Sequence, residues 1–149
     1  MTGWRRFLLR LFGAEIASTA RIYGSARIWY PPNLSVGSHA SIGRGVNVYC
    51  MGPISIGPYA LVSQGAHLCG GTHDIDHPHF QLHARPITLG ARAWIAAEAF
   101  VGPGVRVGEG AVLGARGVAM RDLMPWTVYG GNPAVVLRRR RVNPPPKSD

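Results

Sequence analysis

The chain has 149 residues, 46% hydrophobic and 15% charged, with a formal net charge of +9. That length favours one domain with a core of its own, and no run approaches the roughly eighteen apolar residues of a membrane-spanning helix. Twenty glycines and twelve prolines argue against a helical architecture.

The positive charge is almost entirely arginine, fifteen against one lysine. Such a balance suits anionic partners: nucleic acid, a phosphorylated cofactor or an anionic membrane surface. Cys50 and Cys69 are too few for a disulfide framework and read as reduced thiols of a cytoplasmic protein.

In chain order, residues 1–15 form an N-terminal segment. Its apolar stretch is short and broken by Arg10, with no small-residue cleavage site, so it does not read as a signal peptide. A short amphipathic helix over about residues 3 to 12 fits better. Trp4, Phe7, Leu8 and Leu11 share one stripe, with Arg5, Arg6 and Arg10 largely off it. Such a helix usually packs its stripe on the domain that follows and less often lies on a membrane surface.

Residues 16–137 carry a repeat. Steps of six from Ile16 reach Ile22 and Ile28; from Val36, Ile42 and Val48; from Ile56, Val62 and Leu68. From Leu89 they reach Ile95, Val101, Val107, Leu113 and Ala119. Fourteen of these fifteen positions are Ile, Leu or Val, and the fifth residue of each hexad is mostly small, such as Ala20, Ala40, Ala60 and Ala99. A period of six fits neither a helix nor an alternating strand, but it fits a solenoid of short strands and tight turns. One aliphatic side chain per hexad points inward, and the small residue lets the chain turn. The glycine that often follows the aliphatic residue, as at Gly57, Gly90 and Gly108, is expected to give the corners their backbone freedom.

The starts at 16, 36 and 56 are twenty apart, but 89 lies thirty-three beyond 56. Fifteen extra residues, 74–88, therefore leave the tube as a loop, with His73 at the end of the third coil. Long loops on repeat scaffolds are usually functional. This one lies in "GGTHDIDHPHFQLH", residues 70–83, where four histidines and two aspartates crowd together. Residues 138–149, with the run Arg138 to Arg141, read as a basic, proline-rich tail.

The stretches "LLRLFGAEI" (8–16), "LCGGTHD" (68–74), "PITLGARAWIAAEAFVGPGVRVGEGAVLGA" (86–115) and "RDLMPWTVYGGNPA" (121–134) resemble the hexapeptide-repeat O-acetyltransferases. Within that family the resemblance is to the galactoside and maltose acetyltransferase group, and in particular to acetyltransferases of colanic-acid and related polysaccharide biosynthesis. It implies an all-β fold, a left-handed parallel β-helix with a short N-terminal helix and an extruded loop. It implies a homotrimer and transfer of an acetyl group from acetyl-CoA to a sugar hydroxyl. His73 matches the family's general base, with Asp74 beside it to orient the imidazole or the acceptor, or merely to cap a turn. Trp94, Ala97, Ala115, Arg121 and Arg138 match its cofactor contacts. Asn47, His77 and His79 are the candidates for acceptor binding. The chain departs from the family pattern at Met120, at Val135 and in "RGVA" (116–119).

The chemistry agrees with these assignments. A hydroxyl needs a base to attack a thioester, and a neutral imidazole suits that task near pH 7. The oxyanion that forms needs N–H donors, for which the segment around Ala96 and Ala97 is the candidate. No acyl-enzyme and no metal are required. Two other readings stay open: a metalloenzyme like the γ-type carbonic anhydrases, with His39, His67 and His73 as candidate zinc ligands, and a non-enzymatic binder of an anionic partner. A nucleic-acid module is not recognisable, because no aromatics cluster with interleaved lysines.

Overall fold

The computed structural model describes residues 2–142. The chain winds into a parallel β-solenoid of three flat faces, with each strand two to four residues long along the tube. The first face stacks Glu15–Ile16, Leu34–Val36, Ile54–Ile56, Ile87–Leu89 and Arg106–Val107. The second stacks Arg21–Ile22, Ser41–Ile42, Leu61–Val62, Trp94–Ile95, Val112–Leu113 and Thr127–Gly130. The third stacks Arg27–Ile28, Asn47–Tyr49, His67–Cys69, Phe100–Val101 and Val118–Ala119.

The period of six produces this directly. Each of the fifteen positions reached by steps of six is buried except the half-buried Ile28, and the registers align them coil on coil. Ile22, Ile42, Val62, Ile95 and Leu113 form one such column, which ends on Tyr129. Stacked like residues suit a narrow interior, because each coil presents the same volume to the next. The corner alanines Ala20, Ala40, Ala60, Ala93 and Ala111 are almost wholly enclosed.

The glycines act differently from expectation. Gly57, Gly90 and Gly108 do not take left-handed backbone. A Cβ on Gly90 would lie 2.6 Å from the backbone nitrogen of Glu109 in the next coil, and one on Gly57 would lie 2.7 Å from that of Ala91. These glycines let successive coils approach closely. The left-handed corner positions belong mostly to other residues, among them His39, Tyr59, Arg92 and Trp126, with φ between 53° and 58°.

The N-terminal helix spans Thr2–Leu11 and lies against the first coil. N–H groups of each coil bond to carbonyls of the next, as Arg21 N–H does to Ala40 O and Ser41 N–H to Ala60 O. Carbonyls of the first coil therefore point out of the open end of the tube. Three helix arginines answer them: Arg10 donates to Ile16 O, at 2.8 Å from Nε, Arg6 to Ala20 O at 3.0 Å and Arg5 to Ala26 O at 2.7 Å. An unpaired sheet edge is thereby satisfied by guanidinium groups in place of another coil.

The excursion also differs in detail. The third-face strand ends at Cys69, and Gly71–His73 already pairs antiparallel with Leu82–Ala84. The tube resumes at Ile87, not at 89, because Ile87 and Thr88 pair with Ile54 and Ser55. His73 thus stands on a hairpin arm rather than on the coil. At the far end, Val135–Arg139 folds back antiparallel on Thr127–Gly130 and covers the last edge of the second face. Part of the expected tail is therefore a strand. Arg140 is held too: its guanidinium donates to Arg92 O at 2.8 Å and Gly110 O at 2.9 Å. Residues 143–149 lie outside the described residues.

Candidate active site

The hairpin is short, and its base is tied to the tube. Gly70 N–H donates to Tyr49 O and Arg85 N–H to Gly70 O. Across the arms, His73 Nδ1 lies 2.6 Å from the carbonyl oxygen of Phe80. A carbonyl can only accept, so the proton of this bond sits on Nδ1. The lone pair of a neutral His73 is then on Nε2, on the opposite edge of the ring, and the ring is exposed to solvent. Phe80 offers its carbonyl from a left-handed position, φ 48°, where its own N–H donates to His77 O.

Asp74 does not orient this ring. Its Oδ1 accepts from Asp76 N–H at 3.0 Å, and its Oδ2 lies 3.9 Å from His83 Nε2. Successive side chains along a strand point to opposite sides, which turns Asp74 away from its neighbour. It caps the turn, and the Phe80 carbonyl does the orienting. His77 and His79 stand at the hairpin tip with ring centroids 5.8 Å apart, and His79 N–H donates to His77 Nδ1.

Asn47 lies on the third face in the column Arg27, Asn47, His67, Phe100 and Val118. Its side-chain carbonyl accepts from Trp29 Nε1 at 2.8 Å, so its NH2 group faces His67 Nε2, at 3.4 Å. A donor there requires a lone pair on the imidazole, and burial lowers the pKa of His67 below its ordinary value. Neutral His67 also packs edge-on against Phe100, centroids 5.2 Å apart. Trp29 carries no motif in the sequence, Phe100 lies in the 86–115 stretch without an assigned role, and His67 enters there only as a candidate zinc ligand. Stepping by coils finds the column, since Arg27, Asn47, His67 and Phe100 each precede an inward residue.

Trp94 lies on the second face in the outward column Ser41, Leu61, Trp94, Val112, Val128 and Arg138. Its indole N–H donates to Ser63 Oγ at 2.9 Å, which holds the ring along the sheet. Ala97 and Ala115 follow one corner further on and stack coil on coil, with Arg116 N–H bonding to Ala97 O. The Ala96 N–H is committed to Leu113 O and is not available to an oxyanion. Among the described residues the N–H groups of Ala97 and Ala115 donate to no protein acceptor. The ladder alternates, so adjacent amides face opposite ways. Arg121 stands apart from these residues, at the exposed corner after the third-face strand Val118–Ala119.

The candidate zinc ligands do not converge. His39 stacks on Tyr59 at the corner between the first two faces, His67 is on the third face and His73 on the hairpin. Among the described residues no group of three or more His, Cys, Asp or Glu is placed to hold a metal ion.

No protein-family model matches the chain. It is 46% identical over 137 residues to a protein named as a colanic acid biosynthesis acetyltransferase, WcaF, of Escherichia coli strain K12; the match covers 92% of this chain and 75% of that one. The fold is similar to the crystal structure of the hexapeptide-repeat-containing acetyltransferase VCA0836 of Vibrio cholerae. The TM-score is 0.87 at 25% identity, over 95% of this chain and 82% of that one. A second structure of VCA0836, complexed with acetyl-CoA, superposes with a TM-score of 0.85 at 25% identity, over 93% and 78% of the two chains.

Proposed function

Since the chain belongs to the hexapeptide-repeat acetyltransferases, we propose that it uses acetyl-CoA to acetylate a sugar hydroxyl, in the assembly of an extracellular polysaccharide or another cell-surface glycan. Acetyl-CoA enters by the complex of VCA0836 and the sugar by the name of the Escherichia coli relative.

The observation that carries the mechanism is the bond from His73 Nδ1 to the Phe80 carbonyl. It presets the tautomer in which Nε2 can accept a proton. Nε2 takes the proton of the acceptor hydroxyl as its oxygen attacks the thioester carbonyl. The resulting oxyanion is stabilised by an outward N–H, for which Ala97 is the candidate. Collapse breaks the carbon–sulfur bond, and the imidazolium returns its proton to the departing thiolate. The acetyl group passes directly between substrates, so neither Cys50 nor Cys69 is needed as a nucleophile.

Trp94, Ala97, Ala115 and Arg138 are assigned to acetyl-CoA. From Trp94 to Arg138 the column runs three strand spacings, about 14 Å. A pantetheine arm lying on the small residues Ala97 and Ala115 would leave the phosphates near Arg138, whose guanidinium suits them. Arg121 is assigned to the same cofactor from a different corner. Asn47, His77 and His79 are assigned to the acceptor, and Asp74 to holding the hairpin turn that supports His73. The hairpin projects from a single chain with His73 exposed, which favours a homotrimer whose neighbouring copies close each site.

The test is the product. The purified protein is incubated with acetyl-CoA and, separately, free sugars, nucleotide sugars and lipid-linked sugars. One acceptor gaining one acetyl group, with release of one CoA thiol, supports the reading; release of thiol with no acetylated sugar in any class overturns it.

A further inference from the structure

The apolar stripe of the N-terminal helix faces away from the protein. Leu9 is buried and Leu8 half-buried, but Trp4, Phe7 and Leu11 are 66, 53 and 68% exposed, and Phe12, just past the helix, is 66% exposed. Trp4 and Phe7 stack with ring centroids 5.5 Å apart. The usual arrangement is the reverse, with the stripe on the core. The cause lies in the first coil. Its outward carbonyls bind Arg5, Arg6 and Arg10, and so the polar side of the helix packs inward.

This end of the molecule is also strongly basic. Residues 1–30 contain five arginines and one glutamate, a net charge of +4. Arg21 and Arg27 are exposed on the first coil beside the helix. Exposed aromatics next to uncompensated arginines match the boundary between headgroups and acyl chains of an anionic bilayer. A second copy of this chain on the same face would set two such basic ends against each other, which like-charge repulsion opposes.

We propose that the helix and first coil form a docking surface for an anionic lipid bilayer, into which Trp4, Phe7, Leu11 and Phe12 are seated while the exposed Arg21 and Arg27 meet the lipid phosphates. Bilayer attachment needs neither acetyl-CoA nor His73, so it stands apart from the acetyl-transfer reading. One consequence rests on that reading: the His73 hairpin leaves from the third coil, two strand spacings of about 4.8 Å from this end, so an acceptor tethered to a lipid would be presented near the base.

The experiment is vesicle flotation of the full chain, without acetyl-CoA, using phosphatidylglycerol–phosphatidylethanolamine vesicles and vesicles of phosphatidylcholine alone. The expected result is flotation with the first and not the second, weakened by added salt. The variant W4S/F7S should float about tenfold less, with its melting curve and sedimentation coefficient unchanged because both rings are exposed. A wild-type protein that stays below the anionic vesicles overturns the proposal, as does W4S/F7S floating as well as wild type. A variant that dissociates into smaller species also overturns it, by assigning the face to a copy of the chain.

Discussion

The imidazole of His73 and the carbonyl of Phe80 face each other across the hairpin at 2.6 Å, although they are seven positions apart in the chain. This contact sets which nitrogen of the ring is free, and it exists only because the two arms pair. A backbone carbonyl cannot be lost to a side-chain substitution, so the orientation depends on the hairpin as a whole.

His73→Ala should lower turnover by about 10²–10⁴, the usual worth of a general base. Circular dichroism and acetyl-CoA affinity should stay near wild type, since the ring is exposed. His77→Ala and His79→Ala should change the acceptor Michaelis constant or nothing. Steady-state kinetics at saturating acetyl-CoA checks this; equal losses at His77 and His73 would contradict it.

Arg138→Ala should raise the Michaelis constant for acetyl-CoA more than it lowers turnover. The residue shares an outward column with Trp94 and is exposed. Added salt should raise the wild-type constant and shrink the difference between the two proteins, because an exposed charge pair is screened. An unchanged constant over a range of salt would place the phosphates elsewhere.

Acid should destabilise the protein in part through His67. Burial lowers its pKa in the folded state, so between about 6.5 and that lower value the unfolded chain binds a proton the folded one does not. This contribution is fully present above about 6.5 and is lost as the pH falls through that window. Urea midpoints measured from pH 7.5 down to 5 should fall more for wild type than for His67→Gln, which has nothing to titrate.

Two glycines should respond differently to alanine. Gly90→Ala places a Cβ 2.6 Å from the Glu109 backbone and should cost about 1–3 kcal/mol by forcing two coils apart. A Cβ at Gly24 meets nothing within 4 Å, so Gly24→Ala should stay within about 0.5 kcal/mol of wild type. Denaturant unfolding of both variants makes the comparison.

The sequence by itself determined the tube. A residue that recurs every six positions meets its own equivalent in the next coil, so local pattern and tertiary contact carry the same information, and the period alone places Ile42, Val62 and Ile95 in one inward column. It also located the excursion and singled out His73, but it set His73 at the end of the coil, whereas the structure has it on the hairpin arm. Tertiary structure alone decided four other things. The arginines of the N-terminal helix turned inward because stacking leaves the first coil's carbonyls unpaired, a demand no helical pattern contains. Arg138 joined the Trp94 column because the last edge of the second face needed a strand. Gly90 proved to serve coil-to-coil approach, which depends on the next coil and not on its own turn. The Phe80 carbonyl became the partner of His73 because hairpin pairing sets the register between distant residues, and backbone atoms carry no residue identity to read.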